Sequence, residues 1–234
     1  MTAVFKRELR AYFTGGTGYV FCAVFVLIMN IFYYISSVAQ YKSDFLYIFN
    51  VMLIALVFLI PIMTMRIWSE EKKQKIDQLL LTAPVNTTDI VLGKFFAAMC
   101  VFLIALAFTL VYPLLSVIWG TPQFGIVLGN YIAIILAAGA YIAISQFMSS
   151  LTESQIISAL LSMFTLSVFL LLNIGVYGAK NDAVSAVLSF LSIITRYTRF
   201  YSGIFSLADI VYFISLTVLF IFLTSRVIEK RRWS

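Results

Sequence analysis

Long stretches without a charged residue limit the fold of this chain more than any other feature. There is no Asp, Glu, Lys or Arg between Phe95 and Thr152, and shorter charge-free apolar runs lie on either side. A helix needs about 20 apolar residues to cross the hydrocarbon core of a bilayer. The longest run therefore has room for two crossings. A β-barrel would show short segments of alternating hydrophobicity instead, so these runs predict transmembrane helices.

The composition places the chain in a membrane. Hydrophobic residues make up 62% of its 234 residues, charged residues only 11%, and the mean hydropathy is +1.03. A soluble domain cannot bury that much apolar surface, so the bilayer must solvate it. The net charge of +6 comes from cations beside the apolar runs, which favours a membrane protein over a nucleic-acid-binding one. With no His and two isolated Cys residues, we expect neither a metal site nor a disulfide.

The runs predict an all-α integral membrane protein with one transmembrane domain over residues 1–234. Six helical spans are expected, at 19–39, 45–65, 95–118, 126–147, 156–177 and 206–225. Six crossings place both termini on the same side of the membrane. Twelve of the 16 Lys and Arg residues then fall on that side. This bias predicts that both termini are cytoplasmic.

The first residues form a separate amphipathic segment, 1–14. Val4, Phe5 and Leu9 share one helical face, whereas Lys6 and Arg10 lie on another. Gly15 and Gly16 are expected to end this helix before the first span. The pattern fits an interfacial helix on the inner leaflet, and it fits a simple positive-inside anchor equally well.

A charged island, residues 66–94, separates the second and third spans. Ser69 followed by Glu70 and Glu71 predicts a helix start, and Ile76, Leu79 and Leu80 recur on one face of that helix. Pro84 then breaks the helix. The polar residues 86–89 offer N-cap oxygens for a helix that re-enters the membrane. An apolar knob ringed by charges suits docking into a groove of a cytosolic partner, although a solvated loop whose leucines touch the headgroups has the same composition.

The island resembles the coupling-helix signature of ABC-2 type transporter permeases. The resemblance rests on Glu70-Glu71, on the run 76–85 (IDQLLLTAPV) and on the run 89–94 (DIVLGK). The family pattern is an acidic pair, a Glu-Leu-Leu-x-x-Pro-Val core and a re-entry ending in Leu-Gly-Lys; here Asp77-Gln78 stands where a Gly-Thr-x-Glu element is common. The six spans and the N-terminal helix match the same plan. Residues 200–212 are similar to the gliding-motility-type branch.

The resemblance implies a permease subunit of an ATP-driven ABC transporter, multi-pass in the bacterial cytoplasmic membrane. Its expected partners are the lipid bilayer, a cytosolic ABC ATPase, a second permease copy or homologue forming a dimer and, for the gliding-type branch, an accessory membrane subunit; nucleic acid is not among them. The chain lacks the phosphate-binding G-x-x-x-x-G-K-[ST] loop, because Phe95 follows Gly93-Lys94. It is therefore not expected to be an enzyme or to hold a cofactor. ATP and Mg²⁺ are expected on the ATPase.

The same resemblance implies which residues couple the two subunits. A coupling region at 68–90 would sit in a cleft of the ATPase, with apolar residues packing there and acidic residues making charged contacts. The residues expected to take part are Glu70, Glu71, Ile76, Asp77, Leu79, Leu80, Thr82, Pro84 and Asp89.

Other features suggest places where helices bend or a path is gated. Pro61 and Pro113 lie inside the second and third spans, where they produce either kinks with a gating role or static packing kinks. Between the last two spans, 179–205 forms an external loop. Its apolar part, 183–195, is too short to cross the membrane and is followed by Arg196 and Arg199. A re-entrant element, an external gate and an ordinary surface helix all fit that pattern.

Polar residues at membrane depth complete the functional clues. Asn30, Asn50, Gln146 and Asn173 either line a path or form hydrogen bonds between helices. A membrane scaffold that anchors a complex without transport is the alternative function. An intramembrane enzyme is disfavoured, because the chain has no His, no paired intramembrane carboxylates and no G-x-S-x-G element.

Overall fold

The computed structural model describes residues 1–39, 46–73, 86–118, 124–178, 182–201, 203 and 206–232. Throughout these ranges the regular structure is helical, with no strand. The helices are α1 (Thr2–Thr14), α2 (Thr17–Tyr33, continued by a π-helical turn, Tyr34–Val38), α3 (Leu46–Thr64), α4 (Arg66–Lys73), α5 (Thr87–Phe108), α6 (Val111–Ser116), α7 (Phe124–Leu151), α8 (Gln155–Gly178), α9 (Asp182–Leu191), α10 (Ile193–Tyr201) and α11 (Leu207–Arg232).

Six helical segments are long and apolar enough to cross a membrane. They are Thr17–Val38, Tyr47–Lys73, Thr87–Ser116, Phe124–Leu151, Gln155–Val176 and Leu207–Lys230. Each overlaps one of the spans expected from the sequence, so the six-span fold is confirmed. We call the side of the bundle that carries α1 and the end of α11 the terminal side, and the other the opposite side.

The fourth span, α7, is the central helix of the bundle. In the most apolar 18-residue stretch of α7, 67% is buried inside the chain, against 17% of the corresponding stretch of the fifth span, α8. Helix α7 packs against α3, α5, α8 and α11. Its alanines and Gly139 permit this, because small residues let neighbouring helices approach closely in a membrane. A Cβ placed on Gly139 would meet Thr217 and Phe95 at 3.8 and 3.9 Å, which is ordinary contact, so an alanine would fit there as well.

Helix α1 turns back against the bundle through a glycine pair. It ends at Thr14, and Gly16 has φ of 77°, a left-handed conformation that suits glycine. This confirms the expected helix end. The apolar side of α1 packs against α5, where a Cβ on Gly93 would lie 3.1 Å from the Val4 Cβ. The described contacts of α1 are therefore with protein, and its position at a leaflet surface stays a prediction.

The helix expected to start at Ser69 starts earlier. Helix α4 begins at Arg66, almost directly after α3, and the Met65 amide donates to the Pro61 carbonyl at 2.8 Å. Ser69 is buried inside the helix, and its hydroxyl donates to the Met65 carbonyl. The expected N-cap was wrong because tertiary contacts hold this serine inside a helix that continues the span.

The two prolines differ in what they do. Pro61 is buried within α3, which runs unbroken to Thr64. Around Pro113 the third span is interrupted, since α5 ends at Phe108 and α6 begins at Val111. Pro113 has no N–H to offer to the Thr109 carbonyl one turn back. That carbonyl accepts the Tyr112 amide at 3.0 Å and the Tyr131 hydroxyl at 2.9 Å. The third span is therefore interrupted just before Pro113, and a kink or a gating role at either proline stays a prediction.

Hydrogen bonds between helices account for three of the four polar residues at membrane depth. Tyr112 donates to Asn30 at 2.8 Å, Gln146 to the Val91 carbonyl at 3.0 Å, and Thr195 to Asn173 at 3.1 Å. Each bond joins two different helices. The packing interpretation of these residues is therefore confirmed.

Candidate functional site

Six charged side chains from α1, α4 and α5 meet on the terminal side. We call them the terminal-side cluster: Arg7, Glu8, Arg66, Glu70, Glu71 and Lys94. Glu71 lies between two cations, with Oε1 2.8 Å from Arg7 Nη2 and Oε2 2.9 Å from Lys94 Nζ. Lys94 also lies 3.3 Å from Glu8 Oε1. Because Glu71 precedes and Lys94 follows segment 74–85, this pair joins the helices on either side of that segment.

Lys94 is the most buried member of the cluster. Its side chain is 1% exposed, and its ammonium donates to the Ile67 carbonyl at 2.9 Å and lies 4.7 Å from the centre of the Trp68 ring. A buried ammonium is costly unless it is paired and hydrogen-bonded. Two carboxylates, a carbonyl and an aromatic face together meet that requirement. The first turns of α5 are thereby tied to α4 and α1.

The ion pairs change the acidity of the α1 residues. Burial alone raises the pKa of the Glu8 carboxyl, but attraction from Lys94 and the hydrogen bond from Arg7 outweigh burial, so the pKa lies below its usual value. Burial lowers the pKa of Arg7, whereas the bonds and charges of Glu8 and Glu71 raise it further than burial lowers it. Both side chains are therefore charged at neutral pH. Arg7 and Glu8 therefore contribute full charges to the cluster.

Helix α4 is also fastened to the central helix. The Ser149 hydroxyl lies between the α4 amides of Trp68 and Ser69, at 3.2 and 3.3 Å, and the Met65 carbonyl, to which it donates at 3.1 Å. The buried Lys72 ammonium donates to the Ser150 carbonyl. Movement of α4 would therefore act on α7 as well as on α1 and α5.

The structure describes some of the residues expected to couple an ATPase. Glu70 and Glu71 lie in α4, and Arg66 Nε pairs with Glu70 Oε2 at 2.6 Å. Asp89 lies in the first turn of α5, where a carboxylate is favoured by the helix dipole. Asn86 precedes that helix as expected but makes no side-chain cap bond. The other expected residues lie outside the described ranges: Ile76, Asp77, Leu79, Leu80, Thr82 and Pro84.

Sequence reasoning missed the central part that Lys94 plays. It placed this lysine at the membrane boundary as an orientation signal. The available signal was a lone cation directly before an unbroken apolar run, since a charge in that place must find partners. Its partners could not be identified, because Glu8 and Ile67 are far from it in sequence.

A second charged group lies on the opposite side, and we call it the opposite-side cluster: Arg196, Arg199 and Asp209. Asp209, in the first turn of α11, has a fully buried side chain. Its Oδ1 accepts from Arg196 at 2.8 Å and from Arg199 at 3.4 Å. Arg196 also lies 4.9 Å from the Phe190 ring centre and 5.5 Å from that of Tyr212. These contacts fasten α10 to α11.

Both clusters consist of Lys, Arg, Asp and Glu side chains alone. No group of three or more His, Cys, Asp or Glu residues within the described ranges could hold a metal ion. Ion pairs between separate helices can exchange partners when the helices move. The chemistry of both clusters is thus suited to holding helices together.

The comparison with protein families agrees with this architecture. A model of the ABC-2 family transporter protein matches residues 25–227, which cover all six spans apart from the start of the first and the end of the last. No curated protein matches the chain. The chain therefore belongs to the ABC-2 family of transporter proteins and is a multi-pass membrane permease component.

Proposed function

We propose that this chain is the permease subunit of an ATP-driven ABC transporter, and that a separate ATPase subunit acts on it through segment 74–85. Permeases of this family normally work with an ATPase subunit. The observation that carries the proposal is the Glu71–Lys94 ion pair, 2.9 Å long, between the helices that flank the segment. A force applied to the segment would reach both flanking helices at this pair.

In this proposal the terminal side is cytoplasmic. The cations expected on that side include Lys72 and Lys73 of α4 and Lys75 of the segment after it. The cations of α1 and of the end of α11 belong to the same side. Such a bias is typical of cytoplasmic loops in multi-pass proteins. The ATPase would then meet the segment from the cytosol, in a bacterial cytoplasmic membrane.

The apolar residues Ile76, Leu79 and Leu80 would dock into the ATPase. A partner can shift a conformational equilibrium only if it contacts the two states differently. Closure of the ATPase would move the segment, and the Glu71–Lys94 pair would pass that movement to α4 and α5. Since Glu70 and Glu71 are paired within the chain, their role in coupling would be to relay movement rather than to touch the ATPase.

A second permease copy or homologue would complete the transport path. In the most apolar 18-residue stretches of the first and fifth spans, only 33% and 17% are buried within the chain. In a membrane these faces meet lipid or another protein. The similarity of residues 200–212 to the gliding-motility-type branch supports membership of that branch, where an accessory membrane subunit would be a further partner.

The coupling proposal is tested by the Leu79→Asp/Leu80→Asp double variant, reconstituted with the ATPase. Two charges in place of apolar anchors should weaken ATPase binding by on the order of tenfold or more and abolish stimulated hydrolysis. Arg226→Gln, which breaks an exposed ion pair on the same side, is the control and should leave both unchanged. Normal binding and normal stimulation in the double variant would refute the proposal. A scaffold would differ again, since it would bind the ATPase without stimulating hydrolysis in the unaltered chain.

A further inference from the structure

A cavity of about 330 Å³ opens between α1 and the α3–α4 junction. Its rim carries two arginines, Arg7 and Arg66, and the carboxylates Glu8, Glu70 and Glu71. Met63 and Ile67 contribute apolar surface. The volume is at the lower end of the roughly 300–1,000 Å³ range of small-molecule sites. It suits a small polar group attached to something larger.

The cavity lies where the chain enters the membrane. It includes Thr17, the first residue of the first span, and Met63, near the end of α3 in the second span. Phospholipid headgroups occupy this level of a bilayer. The acyl chains of a lipid held here would continue along the exposed apolar residues of the first span, such as Tyr19 and Val20.

Charge decides which headgroup fits. The cavity is lined by two arginines and three carboxylates. Lys94, which does not line it, pairs with Glu8 and Glu71 from outside, so the charges around the cavity sum to zero. An anionic headgroup would gain from the arginines but would be repelled by three carboxylates nearby. A zwitterionic headgroup can place its phosphate beside the arginines and its amine beside the carboxylates. A primary ammonium suits this rim better than a quaternary one, because it donates hydrogen bonds to carboxylates.

Tyr12 supplies an independent indication of a ligand. Its side chain is 8% exposed and lines the cavity, and its hydroxyl has no hydrogen-bond partner among the described residues. A buried hydroxyl without a partner is costly, so a ligand that accepts its proton would be favoured here. Burial raises the pKa of Tyr12, with a further contribution from Glu8, so the hydroxyl keeps its proton and can donate it to a phosphate oxygen.

We infer that this cavity binds the headgroup of an amine-bearing zwitterionic phospholipid of the phosphatidylethanolamine type. Arg66, Arg7 and the Tyr12 hydroxyl donate to the phosphate, and the Glu8 and Glu70 carboxylates accept from the ammonium. The bound lipid ties α1 to the α3–α4 junction, beside the residues that flank segment 74–85. The inference stands on the cavity alone and does not depend on an ATPase partner.

The test is lipid titration of the purified, delipidated full chain, with bound lipid counted by native mass spectrometry. Phosphatidylethanolamine should occupy the site at roughly tenfold lower concentration than phosphatidylglycerol or phosphatidylcholine, since it satisfies both charge signs. Tyr12→Phe, which removes only the hydroxyl, should weaken phosphatidylethanolamine binding about three- to tenfold. Arg66→Gln should weaken it about tenfold or more. Arg226→Gln lies outside the cavity and should leave the titration unchanged.

Three results would overturn the inference. Equal occupancy by the three lipids would show that the rim does not select a zwitterion with a primary amine. A preference that survives both Tyr12→Phe and Arg66→Gln would place the lipid elsewhere on the chain. Displacement of the lipid by inorganic phosphate in millimolar excess would show a site for free phosphate, whereas the inference expects no displacement.

Discussion

The two charged clusters differ in their charge balance, in how far apart their partners lie in the sequence, and in how deeply their carboxylates are buried. The terminal-side cluster balances three cations against three carboxylates and joins helices far apart in sequence, with Arg7 paired to Glu71 and Glu8 to Lys94. The opposite-side cluster holds one carboxylate, Asp209, against two arginines from a helix close by in sequence. Asp209 is fully buried, whereas Glu8 and Glu71 retain 14% and 15% of their exposure.

Because of this difference, the opposite-side cluster should hold its helices in a fixed position, whereas the terminal-side cluster can act as a relay that transmits movement between helices. The fully buried Asp209 carboxylate cannot leave its arginines without becoming an uncompensated charge in a medium of low dielectric constant. The opposite-side cluster should therefore hold α10 on α11 in every state. The terminal-side cluster contains several alternative partners and some access to water. Its helices can shift while each charge keeps a neighbour, as the proposed coupling to an ATPase would require.

The largest expected effect is on the opposite side. Asp209→Ala should destabilise the protein by about 3–5 kcal/mol, because Arg196 is left buried without its carboxylate. Unfolding followed in detergent measures the change. Glu229→Ala is the matched control, since it breaks an exposed arginine–carboxylate pair worth about 0–1 kcal/mol. Equal losses of stability in the two variants would show that Asp209 does not hold α10 on α11.

A smaller effect is expected for the most buried residue of the terminal-side cluster. Lys94→Met should cost about 2 kcal/mol, below the range for a fully buried pair, because Glu8 and Glu71 keep Arg7 and partial hydration. The same unfolding measurement applies. A loss as large as that of Asp209→Ala would remove the proposed contrast between the clusters.

The smallest effect is a dependence on pH. The pKa of Glu8 is lowered in the folded state, so its stabilising contribution is present above the pKa of an unfolded glutamate, about 4.3, and is lost as the pH falls through the folded value. The stability difference between the unaltered chain and Glu8→Gln should therefore be constant near neutral pH and shrink below about pH 4. A difference that grows on acidification would contradict this sign.

Residue patterns predicted the architecture well and the clusters poorly. The lengths of the apolar runs were enough to find all six spans, and the Glu70-to-Lys94 motif was enough to indicate the family, which the family comparison confirms. Helical periodicity is local, however. It could not show that α4 continues the second span, nor that Lys94 would meet Glu8, because those outcomes depend on packing between distant segments.

The break near Pro113 could be predicted from the sequence only in part. A proline in a span predicts a kink from covalent chemistry alone. The Thr109 carbonyl accepts the Tyr112 amide, which is a local contact, and also the Tyr131 hydroxyl of α7, which depends on packing between helices. The expected coupling residues of segment 74–85 lie outside the described ranges, so their role stays a prediction.

The relay is tested most directly by Glu71→Gln in the chain reconstituted with its ATPase. The substitution keeps the shape of the side chain and weakens its contacts with both Arg7 and Lys94. We expect ATPase binding within about twofold of normal, because docking uses other residues, and a stimulated hydrolysis rate reduced on the order of tenfold. Glu229→Gln is the control. Normal stimulation would contradict the relay, and a parallel loss of binding would show instead that Glu71 touches the ATPase directly.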